Sequence, residues 1–174
     1  MIRKIQDNVH QISFKQFGSY IYLLNIEDKN IIIDTSSPEN ADELISHLHE
    51  LDLSPKTIDI VILTHNHWDH TGGIDLFPNA KFYCSPDDFG KNFHDIHKLK
   101  MPELKIIRTP GHSKGGICIL YNDILFSGDT LFHRGTIGRT DLPGSSESEM
   151  RTSLEKISRL KFSILCPGHG IESE

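Results

Sequence analysis

Thr64-His65-Asn66-His67-Trp68-Asp69-His70 places three imidazoles and one carboxylate within six residues, directly after the apolar run of residues 57–63. Imidazole and carboxylate are the donor types that hold divalent zinc, iron or manganese. Histidines at i and i+2 leaving a strand can converge on one ion, while Asp69 and His70, from the turn that follows, can face a second position. A helix cap near Gly72-Gly73 would use one polar side chain and does not call for three histidines. Three further turns follow one plan, an apolar run ending in small residues that present a single donor: Pro110-Gly111-His112, Ser127-Gly128-Asp129 and Pro167-Gly168-His169-Gly170. Taken alone, each reads as readily as a hydrogen-bonding turn. With the 64–70 cluster they bring the set to five imidazoles and two carboxylates, namely His65, His67, Asp69, His70, His112, Asp129 and His169. That set suits two metal ions with positions left open for water.

Such donors must be carried by strands that stop at a common edge. Residues 9–14, 20–26 and 30–34 read as three successive strands of an antiparallel meander, divided by turn-prone Phe17-Gly18-Ser19 and Glu27-Asp28-Lys29. Ser37-Pro38 is a helix start, and Ala41, Leu44, Ile45, Leu48 and Leu51 recur at helical spacing behind it. Residues 57–63, 80–85 and 104–108 are expected strands, while 87–100 is ambiguous because Gly90 interrupts the pattern of Phe89, Phe93 and Ile96. Residues 117–121 and 123–127 form an expected hairpin about Asn122 that leads to Gly128-Asp129 and then a long loop. The last helix begins at a capping box, Ser146 with Glu149, and buries Met150, Leu154, Ile157 and Leu160; residues 163–166 are a closing strand. Strands in groups, each closed by a helix, imply two sheets packed face to face with helices outside.

At 174 residues the chain is long enough for one core, and residues 1–174 read as a single domain. A net charge of −6 argues against a partner gripped through nucleic-acid phosphates. The opening residues lack the apolar stretch of a secretory signal, and the longest apolar run, Ile117–Tyr121, falls far short of the ~18 residues a spanning helix needs. The expected partner is a small-molecule substrate, with neither nucleic acid nor membrane, and the expected location is the cytoplasm. Cys84, Cys118 and Cys166, odd in number and set in apolar runs, read as buried free thiols.

The order HxHxDH, then a single His, then Asp, then His is similar to the metallo-β-lactamase superfamily, and the resemblance runs from the opening strands to His169. It implies an α/β fold, the four-layer αββα sandwich of two mixed β-sheets with helices on the outer faces. It also implies that His65, His67 and His112 hold a first metal, that Asp69, His70 and His169 hold a second, and that Asp129 bridges both. Asp34, in Ile-Ile-Ile-Asp-Thr, matches the superfamily's early Asp motif, which supports the metal loop from behind; a strand-end Asp making a turn bond fits the same residue. Thr109-Pro110-Gly111-His112-Ser113, the stretch from Phe126 to Phe132 and Gly138-Arg139-Thr140-Asp141 resemble glyoxalase II (hydroxyacylglutathione hydrolase). The chain looks like a short form of it, without the C-terminal helical domain that supplies much of the glutathione pocket. The last of these stretches also resembles persulfide dioxygenases, which use one iron on the same fold.

The implied chemistry is hydrolysis. Two divalent ions, zinc first with iron or manganese as alternatives, can share a water, and a zinc-bound water has its pKa brought from ~15.7 to about 7. A metal-bridging hydroxide is then expected to attack a thioester such as S-lactoylglutathione or a related small acyl substrate, with Asp69 and Asp129 as the catalytic carboxylates. Two other readings stay open, a mononuclear iron persulfide dioxygenase and a non-catalytic metal-binding protein. Arg139 reads either as a partner for a substrate carboxylate or as a solvated charge, and Trp68 as a shield over the metals or as packing below them. His94, His97 and His133 are expected at the surface, outside the site.

Overall fold

Alternation and β-branching set the first sheet. In the computed structural model, which describes residues 1–89 and 93–170, β1 (Ile2–Gln6), β2 (Val9–Ile12), β3 (Ile21–Ile26) and β4 (Lys29–Ile33) form an antiparallel meander. The meander therefore has four strands where the sequence suggests three. The extra one, β1, carries IRKIQ, whose charges keep two of its residues in solvent and hide the strand period. Glu27 and Asp28, at φ 50° and 59°, make the tight left-handed turn between β3 and β4. Four consecutive residues of β3, Ile21 to Leu24, are buried, as in a strand covered on both faces.

After β4 the chain turns through a 3-10 segment, Pro38–Asn40, into α1 (Ala41–Glu50). The expected helix thus opens as a tighter turn headed by Pro38, and α1 buries Leu44 and Leu48 of its apolar stripe. The strand β5 (Ile60–Ile62) then returns parallel to β4, and β6 (Lys81–Cys84) runs parallel to β5. The sheet is mixed, with these strands side by side in chain order. Between β5 and β6 lies a single turn of helix, α2 (Trp68–Thr71).

The second sheet has the order β11-β10-β9-β8 and is also mixed. It is built from β8 (Leu104–Arg108), β9 (Ile117–Tyr121), β10 (Ile124–Gly128) and β11 (Ile164–Pro167). The first three are antiparallel neighbours, with Asn122 at φ 51° closing the hairpin, and β11 pairs parallel to β10. A parallel neighbour requires a crossover. Here it contains α4 (Glu147–Ser158), whose N-cap Ser146 accepts the Glu149 N–H and which buries Met150, Ser153 and Ile157. Ile157 meets Cys118 and Leu125 in a core ringed by Ile107, Leu120, Leu131, Leu160, Phe162 and Leu165. In the ambiguous 87–100 stretch the structure has α3 (Pro86–Phe89), β7 (His94–Asp95) and a 3-10 turn, Ile96–Lys98; Gly90 lies outside the described residues.

The chain separates into two compact units, one formed by Met1–Leu63 with His67–Tyr83 and the other by Thr64–Asn66 with Cys84–Glu174.

Candidate metal centre

In the second unit, strand register gathers the donors. β10 and β11 are parallel with Gly128 opposite Pro167, so both chains leave the sheet at the same edge and the next donors, Asp129 and His169, emerge together. The Gly168 N–H donates to the Gly128 carbonyl at 2.8 Å and locks that exit. β8 ends opposite the start of β9, Arg108 against Ile117, which brings the Thr109–His112 turn to the edge where β10 ends. Thr64 joins there as well, because Ile117 N–H donates to its carbonyl at 3.0 Å. Gly128 is required at this crossing: it has φ +49°, and a Cβ would lie 2.8 Å from Thr64 Oγ1.

His65, His112 and Asp129 are consequently buried, at 3%, 8% and 9% exposure. The His65 and His112 rings meet edge to face with centroids 5.0 Å apart. His112 Nε2 and His169 Nε2 each lie 3.5 Å from the same atom, Asp129 Oδ2. Ligand atoms at ~2.1 Å from a tetrahedral ion stand about 3.4 Å apart, so each of these two pairs has the spacing of donors that share a cation. His112 Nδ1–H donates to the Arg139 carbonyl at 2.8 Å, which assigns the lone pair to Nε2. Gly138 permits that contact, since a Cβ there would sit 2.1 Å from the Asp129 carbonyl and 2.9 Å from the His112 ring.

Arg139 thus contributes through its backbone. Its guanidinium is exposed and paired with Asp141 through two 2.9 Å hydrogen bonds, which hold the Asp141 carboxyl below its ordinary range. Behind the edge, Thr130 Oγ1 donates to Thr109 Oγ1 at 3.1 Å, and Thr109 Oγ1 lies 3.3 Å from Cys118 Sγ. Burial pushes the Cys118 thiol up to about 11, against the opposing pull of Thr109 and Thr130, so it stays protonated at neutral pH and offers no thiolate donor.

In the first unit, side-chain and backbone hydrogen bonds hold one short helix. His67 is the N-cap of α2, with Asp69 and His70 inside it and buried. The segment after β4, residues 34–37, is buried throughout and grips this turn. Thr35 N–H and Oγ1 both donate to the His70 carbonyl, at 2.7 and 3.0 Å, and the Gly72 N–H donates to the Ser36 carbonyl at 2.8 Å. Asp34 and Ser36 adopt φ 61° and 60° to make the grip, a conformation costing on the order of 1 kcal/mol for a non-glycine residue. Asp34 Oδ2 accepts from His70 Nδ1 at 2.7 Å, both side chains being buried. Asp34 therefore orients an imidazole from behind, the first of the two roles the sequence allows it.

The structure so gathers His65, His112, Asp129 and His169 at one sheet edge of the second unit, and sets His67, Asp69 and His70 on one helical turn of the first. Sequence reasoning named Asp34 but missed the Arg139 carbonyl and the contacts of Thr35 and Ser36. Gly138 was a readable signal for the former, since a glycine beside a donor often marks close backbone approach.

These observations can be set beside known proteins. The sequence profile of the metallo-beta-lactamase superfamily matches residues 15–86 and 79–169. A probable metallo-hydrolase of Methanocaldococcus jannaschii is 40% identical over 145 residues, covering 81% of this chain and 71% of that protein. A hydroxyacylglutathione hydrolase of Aeromonas hydrophila is 32% identical over 153 residues, covering 82% of this chain; the match spans only 57% of that longer relative. Among solved structures, ETHE1 from Myxococcus xanthus superposes with TM-score 0.76 at 28% identity over 95% of this chain and 77% of that one. TTHA1623 in a di-iron-bound form does so at 0.79 with 22% identity, over 92% of each, a likeness of fold. Two mixed sheets with flanking helices, and a profile whose matched residues take in every donor from His65 to His169, place this chain in the metallo-beta-lactamase superfamily.

Proposed function

We propose that residues 1–174 act as one metallo-hydrolase domain that holds two divalent ions, zinc first, through His65, His67, Asp69, His70, His112, Asp129 and His169, and that it cleaves a thioester or related small acyl substrate. The observation that carries this reading is the position of Asp129 Oδ2, 3.5 Å from both His112 Nε2 and His169 Nε2. When bound, the ions supply Lewis acidity and a water acidic enough to react at neutral pH.

The residues do the rest. Hydrogen bonds from His70 Nδ1 to Asp34 and from His112 Nδ1 to the Arg139 carbonyl leave Nε2 of each ring with its lone pair, and the 3.1 Å contact between His65 Nδ1 and Thr64 Oγ1 orients the third ring. Asp129, whose Oδ2 faces both His112 and His169, would contribute to both metal positions, and either Asp69 or Asp129 would take the proton released as water adds to the carbonyl carbon and pass it to the departing sulfur. The C–S bond then breaks, leaving a carboxylate and a thiol. The cytoplasm, where three buried free thiols stay reduced, is the compartment that suits the chain.

Measuring bound metal together with hydrolysis of S-lactoylglutathione tests the proposal. Two zinc ions per chain with turnover, and loss of turnover by about a thousandfold in a folded Asp129→Asn variant, is the expected result. One iron per chain with oxygen uptake on glutathione persulfide would replace this reading by a dioxygenase. Metal binding without turnover on any thioester would leave a binding protein.

A further inference from the structure

The first unit carries an aromatic feature that metal binding does not use. Phe17 and Trp68 are 63% and 57% exposed, yet their rings lie against each other with centroids 5.9 Å apart and planes inclined by 39°. Trp68 opens α2 directly between His67 and Asp69. Both backbones are fixed by buried groups. The Phe17 carbonyl accepts from Ser37 Oγ at 2.6 Å and from Asn40 Nδ2 at 3.3 Å, and Ser37 and Asn40 are 0% and 1% exposed. The Ser19 N–H donates to the Asp69 carbonyl at 2.9 Å, which ties the loop to α2 itself. Gly18 lets the loop come down, because a Cβ would lie 2.4 Å from Ser36 Oγ.

A loop anchored this firmly, with its ring left in water, is a preorganised surface rather than a stray hydrophobe. Aromatic faces presented beside a reactive centre take other aromatic groups in offset or edge-on contact. We infer that Phe17 and Trp68 form a specificity platform that receives an aromatic acyl group. The inference rests on the hydrolase reading and adds to it a preference for thioesters of aryl acids over those of small alkyl acids.

Trp68 is the only tryptophan in the chain, so its emission reports on the platform without any turnover. Zinc-loaded protein is titrated with phenylacetate and with acetate, and the S-phenylacetyl and S-acetyl thioesters of N-acetylcysteamine are assayed for kcat and KM. The platform predicts a saturable change in emission with phenylacetate and none with acetate, and a phenylacetate Kd about tenfold weaker in Phe17→Ala. It also predicts that the kcat/KM ratio of phenylacetyl over acetyl falls about tenfold in Phe17→Ala and Trp68→Ala, mostly through KM, while Trp68→Phe keeps the ratio. Emission that ignores phenylacetate or answers acetate equally, or a ratio unchanged in both alanine variants, overturns the inference. Saturable emission without turnover of either thioester sinks the hydrolase reading and leaves the platform standing.

Discussion

The two units hold their donors by different means. In the second, His112, Asp129 and His169 are scattered along the sequence, and the register of β8 to β11 brings them to one edge, so the sheet itself is the template. In the first, His67, Asp69 and His70 share one turn of helix, too short to be stable alone, which the buried 34–37 segment holds through hydrogen bonds. Register is a cooperative property of many backbone bonds. The grip depends on a few side chains. A single substitution should therefore damage the first unit's donors by loosening them and the second unit's donors by shifting a strand end.

The largest effect is expected from Asp34→Ala, which leaves His70 Nδ1 without its carboxylate. Metal affinity should fall 10–100-fold and stability by about 1–3 kcal/mol, read by chelator competition and urea unfolding. An unchanged affinity would break the comparison by showing that α2 does not need the grip. Gly128→Ala, which demands φ +49° of alanine and meets Thr64, should cost about 1–2 kcal/mol and disturb His65 and Asp129 together.

Thiol chemistry sharpens the contrast, because Cys84, Cys118 and Cys166 all belong to the second unit and all are buried. At pH 8 they should resist alkylation in the wild type and in Asp34→Ala, and react faster in Gly128→Ala. Burial, with smaller contributions from Asp88 and Asp95, raises the Cys84 thiol from 9.0 to about 12. The unfolded chain thus releases that proton first, and stability should be complete below pH 9 and decline as pH rises towards 12, less so in Cys84→Ala. The smallest effect is expected from Arg139→Ala. Only the backbone of Arg139 orients His112, so melting temperature and metal affinity should not move.

The difference between the units also decided what the sequence reveals. HxHxDH is legible because its donors are adjacent in the chain, whereas the turns at His112, Asp129 and His169 gain meaning only when read together. The β9–β10 hairpin, α1 and α4 follow from periodicity and turn chemistry. β1 was hidden because charged residues on an edge strand mask its alternation, and the 3-10 opening of α1 because Pro38 suits either helix type. Gly138 hints at a close backbone approach, but that the Arg139 carbonyl is the group that meets His112 is not legible, since a carbonyl carries no signature of the side chain attached to it. The aromatic platform depends on the loop at Gly18 approaching α2, a tertiary contact that local pattern does not encode.

The parallel pairing of β10 with β11 has a temporal consequence. Asp129 must wait for α4 to be made and for β11 to be threaded alongside before His169 stands next to it. A chain emerging from the ribosome folds from its N-terminal end. The proposed ligand set is therefore incomplete until His169 has been made and β11 has paired, and termination before that residue removes one candidate ligand.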